Sequence, residues 1–77
     1  MDDAAIREAI LKQAASARWS DAALLNVEVH DGAVELFGVA DSENVARALE
    51  VLAESMPGVR SVQNNLRMRG AGLTGYA

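Results

Sequence analysis

Two stretches of strict alternation face each other across a turn in the middle of the chain. Val27 and Val29 alternate with Asn26, Glu28 and His30; Val34 and Leu36 alternate with Ala33, Glu35 and Phe37. Between them sits Asp31-Gly32. A two-residue hairpin loop needs positive φ at both central residues, which Asp-Gly supplies cheaply. The pattern predicts strands over about 24–30 and 33–39, forming a β-hairpin with one apolar face. Gly38 falls inside the second strand, where glycine marks a bulge or a close backbone approach. A bulge would return Val39 to the core face; strict alternation would put it outside.

The flanking stretches switch to helical period. Ile6, Ile10, Ala14 and Ala17 form one stripe over residues 3 to about 17, with Leu11 at its edge and Gln13 interrupting it. Asp2 and Asp3 suit the positive end of that helix. Asp3/Arg7 and Glu8/Lys12 are i,i+4 pairs of opposite sign, read as a solvated face. A second helix opens at Asp41-Ser42, either of which can cap it, and runs to about Met56. Its stripe is Val45, Leu49, Leu52, Ala53 and Met56, and Glu43/Arg47 adds a surface pair. Pro57-Gly58 stops it. A third strand follows from about Val59 to Met68, with Val62, Leu66 and Met68 on one parity and polar Asn64 among them.

The predicted order is α-β-β-α-β. Two amphipathic helices on one face of a three-stranded sheet, an α+β two-layer sandwich, is the economical way to bury every stripe. Strands two and three are joined through a helix, so they should run parallel with a right-handed crossover. The sequence leaves their adjacency open. Trp19, in the 18–23 connection, is read as a core cap. The ordered domain is expected over 3–69, and 70–77, with three glycines, as a flexible tail in which Leu73 and Tyr76 are linker residues.

Composition narrows the function classes. The chain has 77 residues, enough for one small domain without a deep cleft. It has no cysteine and a single histidine, which removes disulfides, thiolate sites and multi-histidine metal sites. No cofactor or metal is expected. The net charge of −4 opposes contact with phosphate backbones, so nucleic acid is not an expected partner. Charged residues interrupt the N-terminal stretch and no run reaches the roughly 20 apolar residues of a membrane span. As given, the chain reads as cytoplasmic; as an excised mature domain it would be periplasmic.

Candidate chemistry is thin. His30-Asp31 and Ser42 supply the residue types of a hydrolase, but a histidine at a hairpin turn is read as exposed, with no converging triad. Gly70-Ala71-Gly72 lacks the helix and spacing of a phosphate loop. An enzyme is not expected. The sheet face away from the helices is richer. Parity places Glu28, His30, Glu35, Phe37, Ser61, Gln63, Asn65, Arg67 and Arg69 there, open to cross-strand pairs between the glutamates and arginines. Phe37 as anchor with Arg60, Arg67 and Arg69 as clustered basic contacts makes a candidate interaction surface. The two open sheet edges invite strand addition by a second copy.

The run Val27-x-Val29-x-Asp31-Gly32-x-Val34-x-Leu36-x-Gly38-Val39, followed by a helix and Gly58-Val59-x-x-Val62-x-Asn64-x-Leu66, resembles the BON domain. The resemblance covers about residues 3–69. It implies a non-catalytic binding module, associated with phospholipid or membranes in many members. Its alternative is a cytoplasmic regulatory or dimerisation module accompanying ligand-sensing CBS domains. The matching residues Asp31, Gly32, Gly38 and Gly58 are read as structural, and the valines and leucines as core.

Overall fold

The computed structural model describes residues 2–16 and 23–68. Five elements occur in the expected order: α1 Asp3–Ser16, β1 Ala23–His30, β2 Ala33–Ala40, α2 Glu43–Glu54 and β3 Ser61–Met68. The sheet order is β1-β2-β3, with β1 antiparallel and β3 parallel to the central β2. This settles the adjacency that the sequence leaves open. Trp19 and the 70–77 tail lie outside the described residues.

The hairpin turns as its dipeptide dictates. Asp31 has φ 51° and Gly32 φ 82°, the paired left-handed conformations of a two-residue loop. Register then runs without an extra residue from His30↔Ala33 to Ala23↔Ala40. There is no bulge at Gly38, and Val39 stays on the face away from the helices, because alternation is never broken. The other reading of Gly38 holds. Its φ is 126°, and a Cβ there would lie 1.8 Å from the carbonyl oxygen of Leu24 on the neighbouring strand.

Both helices cover the same sheet face. The core joins Ile6, Ile10 and Ala14 of α1 to Val27, Val34, Leu36 and Ala40 of the sheet and Ala46, Leu49 and Ala53 of α2. The centre of the α2 stripe is thus Ala46–Leu49–Ala53, with Val45, Leu52 and Met56 half-buried beside it. Ser42 is the N-cap, its Oγ accepting from the Val45 amide at 3.3 Å. The helix ends at Glu54, two residues short of Met56. The Ser55 hydroxyl takes the Leu52 carbonyl at 2.7 Å. Met56 to Val59 then closes a turn, with Val59 N donating to Met56 O at 3.3 Å. Proline at its second position and Gly58 at its third, φ 90°, match a type II turn. β3 starts at Ser61 rather than Val59, because residues 59 and 60 serve as the lead-in to the ladder.

Candidate interaction face

Among the described residues nothing covers the sheet face away from the helices, and the ladder sorts this uncovered face into four cross-strand rows. Reading from β1 through β2 to β3, they are Leu24–Val39–Arg67, Asn26–Phe37–Asn65, Glu28–Glu35–Gln63 and His30–Ala33–Ser61. Phe37 is half-buried at the middle strand, flanked by the two asparagines. Leu24 is 67% exposed and Val39 half-buried in the row beyond it. One end of the face is therefore apolar with one arginine; the other is polar and acidic.

Glu28 and Glu35 lie directly opposite one another, a like-charge pair. His30 Nε2 stands 3.5 Å from Glu28 Oε1, both side chains exposed. Arg67 is level with Val39, two rows from Glu35. Among the described residues, the cross-strand pair of Glu28 or Glu35 with Arg67 that the sequence left open is not formed, because the register separates them.

The turn end is held from two sides. Both Asp31 N and Gly32 N donate to the carboxylate of Asp3, at 2.9 and 3.2 Å. Two successive amides in left-handed conformation form an anion-binding concavity; here the chain's own α1 fills it. Asp3 is thus committed to the turn, not to Arg7 as the helical spacing suggests. From the other side, Arg60 N donates to Gly32 O at 2.8 Å. A Cβ on Gly32 would meet Gly58 O at 2.6 Å and Arg60 Cγ at 2.9 Å. Arg60 is packed over the turn, beside His30, Asp31, Ala33 and Ser61.

Each outer strand has a polar edge group taken by a side chain. On β1, Arg7 Nε donates to Val27 O at 3.0 Å. A shallow recess lies alongside, lined by Arg7, Asn26, Val27, Glu28 and Phe37. On β3, Asn64 Nδ2 donates to Ala46 O at 3.0 Å and Glu50 Oε1 at 3.1 Å, while its Oδ1 accepts from Leu66 N at 3.1 Å. Three bonds from one side chain tie β3 to α2 and occupy an edge amide. Blocking of edge groups works against strand addition.

The sequence-selected residues are only partly brought together. Phe37 and Arg67 are diagonal neighbours on the open face. Arg60 is at the opposite end of β3, seven residues or about 23 Å from Arg67 at the rise of a strand. Arg60 and Arg67 are therefore far apart; Arg69 lies outside the described residues. Asp31, Gly32, Gly38 and Gly58 all serve backbone geometry. His30 and Ser42 sit at opposite ends of β2, roughly 25 Å apart at strand rise, and the Ser42 hydroxyl is committed to its cap. Sequence reasoning missed Asp3, Arg7 and Asn64 as linchpins. Only Asn64, a polar residue at core parity, carried a local signal.

Among the described residues no group of His, Asp and Glu side chains could hold a metal, and no helix is long and apolar enough to cross a membrane. A family model described as BON domain matches residues 2–70. A search of curated proteins finds no match.

Proposed function

Because the chain belongs to the BON domain family, we propose that it is a non-catalytic binding module whose contact surface is the uncovered sheet face around Phe37, and that this face recognises protein rather than lipid headgroups. The observation that carries the reading is the split of the basic residues. Arg60, its side chain exposed, stands at the turn end and Arg67 at the other end, with Glu28 and Glu35 between them. A basic residue near an anionic bilayer contributes about 1 kcal/mol. Among the described residues this face has one arginine beside two carboxylates, which does not make a headgroup surface. It does suit a partner with an apolar spot for Phe37 and complementary charges on either side. Such a module fits a regulatory or assembly role beside a ligand-sensing domain.

The test places a photoreactive benzoylphenylalanine at Phe37, or at Val51 on the exposed side of α2, and irradiates each protein in extract of the source cells. Protein adducts from position 37 but not 51 are expected. Co-sedimentation of the unmodified chain with phosphatidylglycerol vesicles at physiological salt, lost in Phe37→Glu, would overturn the protein reading in favour of phospholipid.

A further inference from the structure

We propose that the occupant of this face is a second copy of the same chain, packed sheet to sheet about a two-fold axis that runs across the strands through Phe37. The inference rests on the open-face reading and commits it to one partner. The two outer edges are the obvious alternative for self-association, but Arg7 occupies Val27 O on one and Asn64 occupies Leu66 N on the other. The face is left.

Two in-plane axes through Phe37 would pair the faces. An axis along β2 sets each row on its own counterpart and puts Glu35 against Glu35 of the second copy. An axis along the Phe37 row does the opposite. It sets the Arg67 row of one copy over the Glu28–Glu35–Gln63 row of the other, and the reverse, while Phe37 stacks near Phe37. Arg67 then lies over the partner copy's Gln63, offset from its Glu35 by one strand spacing of about 4.8 Å in the plane and by the roughly 10 Å between packed sheets, a span that extended arginine and glutamate side chains together can bridge. Both Arg67 guanidinium groups and both Glu35 carboxylates find opposite charges, and the like-charge Glu28–Glu35 pair of the monomer gains a cationic neighbour. The face spans four rows and three strands, roughly 20–25 by 10–15 Å from strand rise and spacing. The pair would bury less than the roughly 1,200–2,000 Å² of a stable interface. The dimer is therefore weak, forming at high micromolar to millimolar chain, and within a longer protein it would act where tethering concentrates the copies.

Sedimentation equilibrium from 50 µM to 2 mM tests this with a charge-swap cycle. The unmodified chain should dimerise. Arg67→Glu and Glu35→Arg should each weaken the dimer about tenfold or more, since each homodimer now sets like charges across the interface. An equimolar mixture of the two should recover the original affinity within about threefold, because both cross-pairs of the heterodimer are again opposite in sign. A misfolded variant could not be rescued by mixing. Dimers unaffected by either swap, or not restored by mixing, overturn the proposed pairing. A chain monomeric through 2 mM overturns self-recognition. The open-face reading would then stand if position 37 still forms adducts with other proteins in extract, and fall with it if position 37 forms none.

Discussion

Replacing Gly38 by alanine should be among the most damaging single changes available in this chain, although it adds one methyl group to a strand. Two costs combine. Alanine held at φ 126° sits in a region that residues with a Cβ rarely adopt, which costs about 1–3 kcal/mol. The new Cβ would also lie 1.8 Å from Leu24 O, a backbone atom that cannot rotate away. Relief to ordinary contact requires β1 and β2 to part locally by more than an ångström. That weakens the Leu25↔Gly38 region of the ladder by a hydrogen bond or two at about 1 kcal/mol each. The sum is about 2–5 kcal/mol, against about 4–12 kcal/mol for the total stability of a domain this size. At about 4–8 °C per kcal/mol, the midpoint should fall by about 8–40 °C. Urea titration followed by circular dichroism gives the change directly, and an unchanged m-value shows that the unfolded state is comparable. A loss below about 1 kcal/mol at constant m would refute the close approach of the two strands.

Other contacts give independent checks. Asp3→Ala leaves the Asp31 and Gly32 amides without their carboxylate and should cost about 1–2 kcal/mol by denaturant titration, the turn being solvent-accessible enough for water to replace part of the loss. In hydrogen exchange, the Asp31 and Gly32 amides should lose protection before the core strands do. Asn64→Ala removes three hydrogen bonds and should cost about 2–3 kcal/mol; Asn64→Asp, which keeps the acceptor for Leu66 N but sets a carboxylate beside Glu50, should be at least as harmful as alanine. Leu36→Ala, at a wholly buried central position, should cost about 2–5 kcal/mol, whereas Phe37→Ser one residue away should cost less than half as much and act on association instead.

The fold was largely legible because its strongest signals are local. Asp31-Gly32 pins a hairpin register, and period-2 alternation then decides which face each residue takes for eight positions on either side. Val39 follows that rule even past a glycine. The α2 stripe reads well for the same reason, except that Ala46, small and central, carries less weight in a hydrophobic pattern than Val45 beside it. What escaped was long-range. Asp3 reaches a turn 28 residues away and Arg7 a carbonyl 20 residues away, and nothing at i,i+4 announces either. Arg60 and Arg67 are close in sequence, but an extended chain carries them to opposite ends of the sheet. Of the candidate surface, Phe37 and Arg67 come together, as alternation implied, while Arg60 is drawn into the turn by contacts that no local pattern encodes.

Solvent accessibility measured by nuclear magnetic resonance with a soluble gadolinium chelate tests the central claim most directly. In dilute protein, signals of Leu24, Phe37 and Val39 should relax strongly while Val34, Leu36 and Leu49 are spared, and raising the chain concentration or adding a captured partner should protect Phe37 and Val39 while leaving Val51 exposed. Protection that appears at Val51 and the outer side of α2 instead, with Phe37 still fully accessible, would contradict the assignment of binding to the uncovered sheet face.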